Sequence, residues 1–192
     1  MGARSAQAVF LVGFMGAGKT SVGRELGQRL NWVFEDLDDR VERQEGRSVA
    51  EIFRDSGEPQ FRRTERAALQ QVLEELHGGG ARIVALGGGA FARPDNAELL
   101  EASGVPVVFL DARVEELWRR CREEAGSVTR VRPLLQTFER FRALYRSRRK
   151  GYLRVPTKIE TGGRPVEAIA AEIVERLGLK KIEMQTEPGE VE

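Results

Sequence analysis

The sequence predicts an α/β protein built on a parallel β-sheet, and three observations carry that expectation. Short apolar runs bounded by turn residues recur at residues 9–12, 32–34, 83–86 and 105–110. Amphipathic stretches long enough for helices separate them, as parallel strands require, because their crossovers are helical and right-handed. Glycine-rich turns follow two of the runs directly, at residues 13–18 and 87–89.

Taken in order, the first strand is the continuously apolar Ala8-Val9-Phe10-Leu11-Val12, the signature of a strand buried on both faces. The helix after it starts at Ser21 and repeats apolar residues at Val22, Leu26 and Leu30. The second strand ends in Glu35, Asp36 and Asp38. Ser48-Val49-Ala50-Glu51 then reads as a capping box opening a helix through Phe53. With residues 58–76 it makes a helical insertion, about 39–76, between the second and third strands. Pro94 delays the helix after the third strand. Beyond the fourth strand, Trp118 and Cys121 share a helix face, so Cys121 reads as packing. Residues 123–132 lack apolar periodicity and contain Gly126, which predicts a mobile loop. The β-branched residues of 157–161 argue for a fifth strand. One domain over residues 1–179 is expected, with 180–192 too polar to pack and read as a disordered tail.

Composition narrows the function classes. With 192 residues, 41% hydrophobic and 32% charged, the chain suits one soluble globular domain. No apolar stretch approaches the roughly 20 residues a membrane helix needs, and nothing before the first strand reads as a secretory signal. One cysteine excludes an internal disulfide and fits a reducing cytoplasm, while one histidine excludes a His-rich metal site. The net charge of +1 hides an asymmetry: residues 113–154 hold thirteen Lys/Arg against five Glu, a local +8 that leaves −7 elsewhere. No aromatic interleaving accompanies the basic segment, so a small anionic substrate is expected rather than nucleic acid.

The chemistry is concentrated in a few motifs. Gly13-Phe14-Met15-Gly16-Ala17-Gly18-Lys19-Thr20 fits G-x-x-x-x-G-K-[ST], a phosphate-binding loop between a strand and a helix. Its backbone N–H groups and the helix N-terminus would face polyphosphate, Lys19 the outer phosphates, and the Thr20 hydroxyl Mg²⁺. Strand alternation would put Asp36 and Asp38 on one side at the ligand-binding edge of the sheet, one toward metal and one toward a substrate hydroxyl. Gly87-Gly88-Gly89 permits close approach of backbone to a ligand. It also begins G-x-G-x-x-A, but Pro94 spoils the immediate helix start that a dinucleotide site requires. Asp111 ends a strand resembling a Walker-B segment; a cap on the helix beginning near Arg113 is the preferred role. Ser48 lies in a near match to G-x-S-x-G whose last glycine is missing, and capping suits it better. Arg62, Arg132 and Arg148 offer guanidinium groups that match carboxylate and phosphate geometry.

Together these residues resemble the shikimate kinase family. The likeness runs from about Val9 to Leu177 and rests on LVGFMGAGKTSVGRELG, Asp36-x-Asp38, Gly57-Glu58-x-x-Phe61-Arg62, LGGGA and Arg132-Pro133-Leu134-Leu135. The resemblance implies a three-layer P-loop fold with a five-stranded parallel sheet of order 2-3-1-4-5, a helical shikimate-binding insertion, and a lid at about 123–135. It implies ATP-dependent phosphorylation of the shikimate 3-hydroxyl, a step of chorismate and aromatic amino-acid biosynthesis, in a cytoplasmic monomer. By this likeness Gly16, Ala17, Gly18, Lys19, Thr20 and Ser21 hold the nucleotide phosphates. Arg132 meets them from the lid, Arg120 and Arg164 lie near the adenine, and Thr20 and Asp36 attend Mg²⁺. Asp38, Phe53, Phe61, Arg62, Gly87, Gly88, Gly89 and Arg148 take shikimate. Lys19, Asp38 and Arg132 are the expected catalytic group. The alternatives are another small-molecule kinase of the gluconate kinase type, or a nucleotide-binding regulatory module. One departure is plain: the family commonly reads Arg-Asn-Pro-x-Tyr where this chain has Arg148-Arg149-Lys150-Gly151-Tyr152, and spacing from Tyr152 favours Arg148 as the substrate arginine.

Overall fold

Five parallel strands in the order β2-β3-β1-β4-β5 form the centre of the computed structural model, which describes residues 7–127 and 137–182. They are β1 (Ala8–Val12), β2 (Val33–Asp36), β3 (Arg82–Ala85), β4 (Val107–Asp111) and β5 (Thr157–Glu160). All five expected strands are present, with ends moved by one or two residues. Trp32 lies before β2 as a buried anchor rather than inside it, its indole donating to the Lys180 carbonyl at 3.2 Å.

The register decides where the site lies. Leu11 and Asp36 both pair with Ala85, so β1, β2 and β3 end level at their carboxyl edge. The phosphate loop, the Asp36–Asp38 segment and the triple glycine therefore leave the sheet side by side. Phe10, Leu11, Ile83, Val84, Phe109 and Leu110 are all at most 1% exposed, as expected of strands covered on both faces. The connection from β1 to β2 runs one way along the sheet, and those from β3 to β4 and β4 to β5 the other. Right-handed crossovers consequently put helices on both faces, giving three layers.

The helices are α1 (Lys19–Leu30), α2 (Leu37–Glu45), α3 (Val49–His77), α4 (Pro94–Ser103), α5 (Val114–Ser127), α6 (Phe138–Tyr152) and α7 (Val166–Leu177). α1 buries Val22, Leu26 and Leu30, the apolar set its periodicity predicts, and packs beside α7. α3 opens on the capping box: Glu51 N donates to Ser48 Oγ, and Ser48 N donates to the Glu51 carboxylate at 2.8 Å. It bends at Gly57, whose φ of 78° and ψ of 168° interrupt the helix two residues before Pro59. The insertion is thus α2 followed by a broken α3.

Two expectations are corrected. Residues 123–127 continue α5 rather than beginning a loop. Arg119 pairs with Glu116 and Glu123, and Arg120 with Glu116, so side chains three and four apart support a helix that has no apolar stripe left. The rest of the expected lid, with Arg132, lies outside the described residues. Residues 180–182 are docked rather than part of a tail: Ile182 N donates to Leu30 O at 2.9 Å, and Asn31 Nδ2 donates to Ile182 O at 3.2 Å. The remaining tail residues, 183–192, also lie outside the description.

Ser48→Ala removes one arm of the capping box and is expected to cost about 1 kcal/mol. In urea this is a lower unfolding midpoint at unchanged slope. An unmoved midpoint would mean that the bond from Val49 N to Glu42, at 2.9 Å, fixes the helix start by itself.

Candidate active site

The anion-binding end of the site is built by the turn from β1 into α1. Gly16 adopts φ 77°, and a Cβ there would lie 2.7 Å from the Leu117 carbonyl oxygen and 2.9 Å from Cys121 Sγ. Only glycine fits both the angle and the space. Gly18 is the N-cap of α1, no side chain caps the helix, and no acid occupies its first turn. Its leading N–H groups and the positive end of its dipole are thus directed at whatever anion enters. Lys19 Nζ donates to the carbonyls of Gly13 at 3.0 Å and Phe14 at 3.1 Å, beside that same opening. Ser21 is exposed in the first turn of α1.

The carboxylates sit differently from the strand alternation expected of them. Asp36 ends β2 and N-caps α2, accepting from Asp38 N at 3.1 Å, so Asp38 belongs to the first helical turn. Asp is both a strand-ending and a capping residue, and the capping preference won. The two side chains still converge. Thr20 Oγ1 donates to Asp36 Oδ2 at 3.0 Å, tying the phosphate loop to this carboxylate. Asp38 Oδ1 is buried with no hydrogen-bond partner. Burial, then the neighbouring Asp36 and Glu65 carboxylates, push its acid up to about 7, with Lys19 and Arg62 partly offsetting the rise.

Two of the three glycines, Gly87 and Gly89, are needed for space rather than for unusual backbone angles. A Cβ at Gly87 would lie 2.5 Å from Asp38 Oδ1 and 3.1 Å from Glu65 Oε1. One at Gly89 would meet Arg62 Nη2 at 2.6 Å, and one at Gly88 would stand 3.6 Å from Arg148 Nη1. Gly87 and Gly89 thus leave room for charged groups, whereas a Cβ at Gly88 would make only ordinary contact. Arg62 donates to Glu65 at 2.9 Å and to Glu58 at 2.9 and 3.1 Å, which fixes its guanidinium. The Arg148 guanidinium has no carboxylate partner among the described residues and lies 5.8 Å over the Phe14 ring. Its burial, with Arg62 nearby, biases it toward losing its proton, so an entering anion would relieve it. Phe53 and Phe61 pack as tilted rings with centroids 4.8 Å apart, an apolar wall with Arg62 5.1 Å over Phe61.

The structure therefore brings together Lys19, Thr20, Asp36, Asp38, Arg62, Arg148, Phe53, Phe61 and Gly87–Gly89. Arg148, not Arg149, faces the pocket; Arg149 turns to Asp111 at 2.8 Å. Asp111 does not cap α5, because Arg149, Lys158 and the Tyr145 hydroxyl occupy its carboxylate. Arg120 binds the Thr161 carbonyl at 2.8 Å and the Gly16 carbonyl at 3.4 Å, which joins the phosphate loop to the turn after β5. Arg164, just before α7, donates to Glu160 O and pairs with Glu172. Sequence reasoning missed Glu65, a fully buried acid whose Oε1 has no partner. Its signal was present: Phe61, Glu65, Ala68, Leu69 and Val72 share one helical face, and an acid on that stripe marks a charge with a purpose.

The family profile described as shikimate kinase matches residues 15–178. The shikimate kinase of Geobacter metallireducens is 43% identical over 172 residues, covering 88% of this chain and 90% of the relative. That of Thermus thermophilus is 41% identical and covers 91% of each chain. Among solved structures, the shikimate kinase from Acinetobacter baumannii in complex with shikimate superposes with a TM-score of 0.78 at 33% identity, covering 88% of this chain and 92% of that one.

The raised Asp38 acid has a measurable consequence in the metal-free, ligand-free chain. The folded state holds this proton to a higher pH than the unfolded one, so its contribution to stability falls as pH rises from 3.8 to about 7. Asp38→Asn should therefore be more stable than its parent at pH 8, by up to about 4 kcal/mol. Near pH 4 the difference should nearly vanish. Urea titrations at both pH values check this, and equal stability at pH 8 would contradict a buried charge at Asp38.

Proposed function

The chain belongs to the shikimate kinase family, and we infer that it transfers the γ-phosphoryl group of ATP to the 3-hydroxyl of shikimate. The observation that carries the residue assignment is the grouping around Gly87–Gly89. A buried carboxylate with an unpartnered oxygen and two guanidinium groups stand beside an uncapped helix N-terminus. This is the complement of a hydroxylated carboxylic acid next to a polyphosphate.

Each residue then has a physical task. Gly16, Ala17, Gly18, Lys19, Thr20 and Ser21 bind the phosphates, with backbone N–H groups and the Lys19 charge opposing the anion. Arg62 and Arg148 hold the substrate carboxylate, and Phe53 and Phe61 exclude water from the ring. Asp38 accepts the hydroxyl hydrogen and orients the oxygen for in-line attack. As the oxygen–phosphorus bond forms and the bond to the ADP oxygen breaks, the hydroxyl proton passes to Asp38. A loose transition state makes positioning the larger share of this role. Arg132, by the family pattern, adds charge over the transferred group, and Arg120 and Arg164 flank the base.

Magnesium fits the donors present. Thr20 Oγ1 and Asp36 Oδ2, 3.0 Å apart, are hard oxygen ligands of the kind that hold a partly hydrated Mg²⁺ beside phosphates. When bound, the ion neutralises phosphate charge. We read the protein as a cytoplasmic monomer of one kinase domain. No described helix is long and apolar enough to cross a membrane.

With Mg·ATP, ADP release should depend on shikimate and not on gluconate, which separates this reading from the related sugar-acid kinase. Asp38→Asn should lose on the order of 10²-fold or more in kcat. Arg148→Ala should weaken shikimate binding by about 2–5 kcal/mol. It is a cleaner test than Arg62→Ala, which also strands the buried Glu65. Shikimate affinity unchanged in a folded Arg148→Ala variant would remove that residue from the substrate site.

A further inference from the structure

One buried acid at the sheet edge has no task in the chemistry above. Asp111 closes β4 with its side chain 4% exposed, and it gathers an unusual set of partners. Arg149 Nη2 lies 2.8 Å from Oδ2 and Lys158 Nζ 3.0 Å from the same oxygen. The Tyr145 hydroxyl donates to Oδ1 at 3.2 Å and itself accepts from Arg149 Nε at 2.9 Å. The cluster therefore joins β4 and β5 to two successive turns of α6.

Arg148 is the neighbour of Arg149 on that helix, and adjacent residues point about 100° apart. Whatever fixes the azimuth of Arg149 also fixes where Arg148 points. Arg148 has no ion-pair partner of its own among the described residues, so its aim depends on the helix that carries it. One turn further on, the Tyr152 hydroxyl donates to the Gly88 carbonyl, and the Tyr152 ring stacks on Phe109 at 5.2 Å. That contact holds the C-terminal end of α6, while Asp111 holds its middle.

We propose that the Asp111–Arg149 ion pair, braced by Tyr145 and Lys158, sets the rotation of α6 so that Arg148 meets the substrate carboxylate. Arg149 and Tyr145 are positioning residues that act through Arg148. The inference rests on the shikimate-site reading given above. A half-buried ion pair adds little net stability, but it fixes geometry well. Its loss should therefore appear in substrate affinity before it appears in melting.

The test is steady-state kinetics on Arg149→Gln, which leaves Lys158 as counter-ion to Asp111, with Arg149→Lys and Tyr145→Phe alongside. A positioning group displaced by about 1 Å can cost up to 10²-fold. KM for shikimate should accordingly rise on the order of tenfold in Arg149→Gln, with KM for ATP within about twofold of the parent. Arg149→Lys should recover part of the loss and Tyr145→Phe should show a smaller one. Asp111→Asn should add little in the Arg149→Gln background, because the two act as one unit. An unmoved shikimate KM overturns the proposal, as does a parallel shift of both KM values and the melting temperature. If Arg149→Gln fails to fold, Tyr145→Phe, which removes a single hydroxyl, decides between the same outcomes. A parent inactive toward shikimate would defeat the functional reading and this inference with it. An active parent with unmoved variants defeats the inference alone.

Discussion

Charge held out of water at the carboxyl edge of the sheet is the constraint on which the rest of this structure depends. Asp36, Asp38 and Glu65 bring three carboxylates close together, and two of them keep a buried oxygen without a partner. Such a group is costly to ionise, which is why the Asp38 acid lies near neutrality. Lys19 and Arg62 offset part of that cost. Gly87 makes the crowding possible, since a side chain there would fill the space that the Asp38 and Glu65 oxygens occupy. The fold tolerates this arrangement because the apolar interior beneath it is complete. β1, β3 and β4 are almost entirely sealed from solvent.

Two devices carry that edge into a working shape. One is the set of ties to the phosphate loop: Thr20 to Asp36 on one side, and Arg120 to the Gly16 carbonyl on the other. Cys121 and Leu117 press against Gly16 from beneath, so α5 forms the floor of the loop. The other device is α6. Its aromatic residues Phe141 and Tyr145 pack edge-on to Phe14, a residue of the loop, at 5.0 and 5.5 Å. Aromatic packing against the phosphate loop thus fixes where α6 sits. The ion pair at Asp111 adds an azimuthal restraint that aromatic packing by itself does not give.

Much of the fold was legible because it depends on local pattern. Continuous apolar runs gave four of the strands, and the β-branched residues of 157–161 gave the fifth. The spacing of Val22, Leu26 and Leu30 gave the first crossover, and Ser48 with Glu51 gave the start of α3. The misreadings share a cause. Alternation was applied to Asp36 and Asp38 where a helix had already begun. The end of α5 was read as loop because its support comes from ion pairs on a polar surface. Residues 180–182 were given to a tail because their partners, Leu30, Asn31 and Trp32, are about 150 residues earlier in the chain.

The sequence by itself determined the phosphate loop, the five strands and the family, since each is written in neighbouring residues whose spacing has a fixed physical meaning. It also named most of the pocket, through the resemblance those motifs carry. Only the tertiary structure decided which charges face each other. It set Arg148 rather than Arg149 toward the pocket, put Glu65 behind Arg62, and turned Asp111 from a helix cap into an anchor for α6. Electrostatic pairing depends on strand register, helix azimuth and burial, and these are settled by contacts between segments far apart in the chain.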